Sequence, residues 1–247
     1  MTANQAIDSN HLSNQSVEAL KQELLELTQN RDKDPLNQKV KFYQDRLAPI
    51  FEELSRRNPY PIPEEQISLV LGVWSPVWST IPFQDIIPGR MQEESYQIFH
   101  DDGYYANIAR YAPGHRLPFL SKLSSIFFAY DLMLLQKYEI RDGDWYIQNI
   151  GIEQRLRIKA TPLTIDKAED WFTRSVQSQS KLSSDTKDSP QIPLLKSFNQ
   201  KIAKQTKGAF KATPQFEHLY IDPNFRLVKT RREAKQRPSY TIAVRKE

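Results

Sequence analysis

Four histidines, His11, His100, His115 and His218, are the first residues of this 247-residue chain to test for chemistry. A zinc site needs imidazoles and carboxylates at fixed spacing, and neither an HExxH pair nor any other histidine pair at ligand spacing occurs. His11 sits in a polar tail, while His100 and His218 stand on separate predicted strands. Cysteine is absent, which excludes thiolate catalysis, disulfides and Cys-based metal sites together. There is no GxSxG elbow, Walker loop or GxGxxG, and seven glycines leave little material for phosphate-cradling loops. The residues therefore predict binding rather than turnover, with no catalytic residue, no metal and no cofactor.

Charge narrows the partners. The net charge is +4, but residues 196–247 alone carry 13 basic and 4 acidic side chains. Such a segment can meet phosphates on a lipid or nucleic-acid surface, or it can be a solvated set of loops and edge strands. Single-stranded nucleic acid would need aromatics interleaved with the basic residues on one strand face, and only Tyr240 comes near; no nucleic-acid partner is expected. No run approaches the roughly 18 apolar residues of a membrane span, so membrane contact is expected to be peripheral. Residues 1–14 are polar and carry Asp8, which reads as a disordered tail rather than a targeting signal.

The elements that must position any site fall into two styles. Residues 15–66 are helical and then proline-rich. SVEALKQELLELT (16–28) has Ser16 as N-cap and leucines at helical spacing. Residues 36–57 repeat that periodicity, with a kink expected at Pro49, before NPYPIPEE (58–65) forms an extended connector. From residue 67 the pattern is short strands: about 68–80, 94–100, 104–111, 125–140 and 144–160. Asp101-Asp102-Gly103 and Asp142-Gly143 are turn signals among them. In the last of these, Tyr146, Ile150, Ile152, Leu156 and Ile158 are assigned to the buried face and Asn149 to the wet one. A helix at 164–178, a Ser/Lys/Asp-rich linker at 178–191 and a basic helix at 194–206 make an insertion over about 162–212. Strands at 215–221, 224–230 and 238–245 bring the total to seven or eight at hairpin spacing, the habit of a barrel or a sandwich.

Gly72-x-Trp74 opens the first strand. A large aromatic there can plug one end of a small barrel, with a glycine two residues earlier allowing the bend and close approach. Arg226 or Arg245 is the basic side chain expected to stack on it. The simpler reading is a bulge beside an ordinary core tryptophan. Around these residues, Asn58, Pro59, Pro61, Leu71, Gly72, Trp74, Trp78, Ser79 and Thr80 follow a helix–connector–strand order. Tyr220, Asp222, Phe225 and Arg226 recur near the C-terminus. Together these resemble the plastid-lipid-associated protein (PAP)/fibrillin family, in a divergent, cyanobacterial-type form. TRREAKQRPS replaces the family's glycine-containing turn, and SYTIAV its last strand.

The resemblance implies a mainly β fold: a lipocalin-like antiparallel β-barrel with N-terminal helices and a helical insertion before the last strands. It also implies association with thylakoid membranes or lipid globules, in a cyanobacterium or a plastid, and a carotenoid, quinone or other prenyl lipid as ligand. Cavity candidates are Trp78, Ile108, Tyr146, Ile150 and Tyr220; Gly72, Trp74 and Arg226 close one end. A barrel of this size is either hollow or filled by its own side chains. The alternative function is a barrel-fold lyase or assembly factor for tetrapyrrole pigments, for which no motif is present. IPFQDIIPGRM (81–91), together with the basic 194–211 stretch, could cover the mouth as an interfacial patch, although such residues more often pack a loop down.

Overall fold

The computed structural model describes residues 9–82, 89–112, 128–158, 161–181, 215–231 and 236–247. Residues 1–8 of the expected 1–14 tail, most of the 81–91 segment, the 182–191 part of the linker and the basic helix at 194–206 lie outside them, while residues 9–13 of that tail are helical, with Leu12 buried.

Eight antiparallel strands form one sheet that closes in a ring in strict sequence order, β1 pairing with β8. They are β1 (Gly72–Ser79), β2 (Arg90–Phe99), β3 (Tyr104–Tyr111), β4 (Phe128–Arg141), β5 (Asp144–Ile158), β6 (Gln215–Ile221), β7 (Phe225–Arg231) and β8 (Ser239–Lys246). The turn signals act as expected: Gly103 and Gly143 take φ of +81° and +76° at the β2–β3 and β4–β5 turns. Asp222 organises the β6–β7 turn by accepting from the N–H groups of Asn224 and Phe225.

The seams are unequal. Among the described residues β3–β4 pairs over eight residues, whereas β1–β2 pairs at Gly72–Trp74 and β5–β6 at Trp145–Tyr146. The β1–β2 pairing lies at the end that holds Trp74 and Trp145, and these two strands separate toward the other end.

Helices cover two outer faces. Before the ring come α1 (Ser9–Ser13), α2 (Val17–Thr28), α3 (Leu36–Phe42) and α4 (Ala48–Arg56). Ser16 caps α2 by accepting from the Ala19 N–H at 3.1 Å. A π-helical turn at Tyr43–Leu47 joins α3 to α4 immediately before Pro49, absorbing the backbone bond that proline cannot make. Leu20, Leu24, Ile50, Phe51 and Leu54 pack against Trp78, Tyr220, Phe225, Leu227 and Ile242. The Lys21–Asp222 pair at 2.7 Å pins this layer down. The end of the expected connector forms a 3-10 turn (Pro63–Gln66), and residues 68–70, read as the start of the first strand, lie instead in the one-turn α5 (Ile67–Val70), which turns across the ring's end.

After β5, α6 (Ile165–Lys181) covers a second face and runs three residues beyond its predicted end, into the expected linker. Trp171 and Phe172 pack on Tyr96, Ile98, Ile108 and Met133. Tyr96 donates to the Leu163 carbonyl at 2.8 Å and Trp171 to Glu153 at 2.7 Å, fixing the helix at both edges. Among the described residues no helix is long and apolar enough to cross a membrane.

Candidate functional site

The end of the ring crossed by α5 is solid. Trp74 lies inside, fully buried, and donates its indole N–H to the Val70 carbonyl at 2.8 Å. Two guanidiniums stack on it: Arg226 at 4.8 Å and Arg245 at 4.3 Å from the ring centre. Arg245 also donates to the carbonyls of Leu69, Leu71 and Pro223, tying α5 and the β6–β7 turn to the last strand. Gly72 is required twice over. Its φ is +95°, and a Cβ there would stand 3.1 Å from an Arg245 nitrogen. The expected closure by Gly72, Trp74 and Arg226 thus assembles in one place, with Arg245 as a second clamp.

Behind Trp74 lie Phe99, Tyr105, Trp145 and Phe216. Gln66, from the 3-10 turn, reaches in. Its amide oxygen accepts from Trp145 Nε1 at 2.8 Å and meets His218 Nδ1 at 2.9 Å. Since that oxygen cannot donate, His218 carries its proton on Nδ1, and its buried Nε2 has no partner. Burial, and then repulsion from Arg226, hold this imidazole well below its ordinary range. His218 is therefore a neutral structural residue.

A belt of amides crosses the ring next. Arg226 donates to the Gln97 side-chain oxygen at 2.5 Å; β7 and β2 are not neighbours, so this bond spans the lumen. Gln97 donates to Asn107 at 3.1 Å, Asn107 to Gln136 at 2.7 Å, and Gln136 to Asn149 at 2.6 Å. Tyr105 adds a hydroxyl donation to Asn107 at 2.8 Å. A guanidinium can only donate, so Gln97 must present oxygen to it, and each later amide is oriented in turn. Burial pushes Arg226 down to about 10, which leaves it a cation at neutral pH, and pushes Tyr105 up to about 12.

Beyond the belt the described residues leave a space between the strands. A chamber of about 160 Å³ is walled by Pro76, Ser95, Ala109, Tyr111, Leu132 and Leu134, with Asn107 as its polar floor. Arg90 stands beside it, its charge met by Asp32. A cavity on the order of 150 Å³ with apolar walls holds a benzene-sized guest.

Most of the predicted wall residues lie elsewhere. Trp78 and Tyr220 face the N-terminal helices, outside the ring. Tyr146 is half-buried, and its hydroxyl accepts from Gln215 at 3.0 Å. Ile150 packs under α6. Ile108 borders the chamber but belongs to the α6-facing cluster. For Tyr146 and Ile150 the cause is a register shift in the β4–β5 pair between Leu135 and Gln136, opposite Asn149–Gly151, while Trp78 and Tyr220 each follow a shift in their own strand, after Pro76 and after His218. The β4–β5 shift reverses the parity of β5, so Trp145, Ile147 and Asn149 face inward before the shift and Ile152 after it. The assignment of Asn149 to the wet face is corrected accordingly.

The floor residues Gln97, Asn107 and Gln136 escaped the sequence reading because a polar parity in a strand reads as solvent-facing. Here both faces are covered: α6 takes the apolar parity of β2 and β3, and the lumen takes the polar one. Comparison with known protein families finds no match, and comparison with curated proteins finds no relative.

Proposed function

We propose that this protein is a non-enzymatic carrier or structural binder of a lipophilic small molecule, held in a lipocalin-like barrel. The supporting observation is the division of the lumen: an apolar chamber at one end, an amide floor, and an indole-and-guanidinium seal at the other. Removing apolar surface from water contributes about 25 cal/mol per Å², so several hundred Å² of guest surface suffices for micromolar binding after the costs of association.

The family resemblance adds the ligand class, a carotenoid, quinone or other prenyl lipid, and a setting at thylakoid membranes or lipid globules. The chamber volume restricts how such a molecule sits. A ring or a short part of the chain enters, and the remainder extends past Arg90 and Tyr111. The test is to incubate the full-length protein with a total pigment and lipid extract and identify what co-elutes with it. A prenyl lipid or pigment at near-stoichiometric amount is expected. Elution free of any lipophile would refute the proposal.

A further inference from the structure

Arg226 differs from the other buried cations of the chain. Lys39 and Arg90 both reach Asp32, and Arg110 meets Asp131 at 2.6 Å. Arg226 is 1% exposed, and the groups acting on its charge are Tyr105 and Arg245, neither of them a carboxylate. Among the described residues no acidic side chain lies within ion-pairing distance of it. Its Nε–H is buried and donates to nothing. Aromatic faces and one amide oxygen therefore surround a cation at the sealed end of the ring that no carboxylate balances among the described residues.

The amide belt carries that charge to the chamber. With Arg226 at its head, every amide in the chain turns an oxygen toward the cation and an N–H away from it. Hydrogen bonds in such a series polarise one another in a low-dielectric interior. Asn107 spends one N–H on Gln136, and the second remains on a residue that lines the chamber floor. An oxygen guest on that floor would accept from a polarised donor within the field of an uncompensated cation. A negative guest gains most, because a charge-assisted hydrogen bond is roughly twice as strong as a neutral one.

We propose that the chamber takes its guest head-first and that the head is a carboxylate, so that the preferred ligand is a lipophilic acid seated on Asn107 in the field of Arg226. This rests on the reading of the chamber as a lipid-binding site, and the experiment separates the two. The affinities of decanoate, decan-1-ol and 2-decanone for the full-length protein are measured by calorimetry at pH 8. Decanoate is expected to bind about tenfold or more tightly than either neutral compound. Arg226→Met, checked by its melting curve, is expected to abolish that preference, decanoate then binding no more tightly than decan-1-ol. Should Arg226→Met not fold, Asn107→Leu, checked by its melting curve, is expected to reduce the preference at least fivefold. Equal or tighter binding of the two neutral compounds overturns the carboxylate inference and leaves the lipid-binding reading standing. No binding of any of the three overturns both.

Discussion

The two ends of the lumen are built from the same eight strands and do opposite things. At the sealed end, Trp74, Phe99, Tyr105, Trp145 and Phe216 fill the space, and every seam of the ring is paired. At the chamber end the inward side chains are smaller, Ser95, Ala109 and Leu134 among them, and the β1–β2 seam, paired at Gly72–Trp74, has parted. A ring of fixed strand number can be solid or hollow according to side-chain volume alone. This one is both. The stabilising core is concentrated at one end, and the other can tolerate a void.

That contrast predicts unequal sensitivity to substitution. Trp74→Ala should be the most damaging change, because it empties a fully buried indole site, removes the ring under Arg245 and leaves Arg226 with Phe99 alone. A loss of about 3–5 kcal/mol in urea-unfolding free energy is expected. Gly72→Ala should cost about 1–3 kcal/mol, since the left-handed φ and the 3.1 Å approach to Arg245 are both violated. If either change proves harmless, the sealed end is not the stabilising core.

A pH experiment probes the same end. The folded-state pKa of His218 is depressed, so the unfolded chain binds the proton more readily. Stability is then fully present above the unfolded value of about 6.5 and falls as pH drops below it, by up to about 1.4 kcal/mol per unit. The wild type should lose about 1–2 kcal/mol between pH 6.5 and 5 that a folded His218→Gln variant does not lose. Asp222 sharpens the window. Burial pushes its carboxyl up, but hydrogen bonds from Lys21, the Asn224 N–H and Tyr220 outweigh this and hold it below the usual range. Its contribution is lost only at lower pH.

The smallest stability effect belongs to the chamber. Ala109→Leu adds volume where space exists and should change unfolding free energy by less than about 1 kcal/mol, while reducing lipid binding more than tenfold. A large destabilisation would mean the chamber is already filled.

Much of the fold is legible in the chain. The hairpin turns, the Ser16 cap and the Gly72-x-Trp74 pair follow from local signals that tertiary packing reinforces. The chamber walls were not legible. Period-two alternation tells which residues share a face, but not which face is inside when a helix such as α6 covers the outer one. Ile108 and Ile150 are apolar because of α6, and Gln97 and Asn107 are polar because of Arg226. A single shift opposite Asn149–Gly151 then exchanged the faces of β5, and no residue in QNIGI marks it beyond Gly151 itself. Pairings between distant strands, not local propensity, decide these positions.

The most direct test of a hollow, guest-accepting end is methyl-resolved NMR during titration with a small lipophile such as decan-1-ol. Saturable shifts are predicted at Ala109, Leu132 and Leu134, with Val228 and Ala243 at the sealed end unmoved. Shifts confined to the outer faces, or an unchanged spectrum at saturating lipophile, would contradict the account.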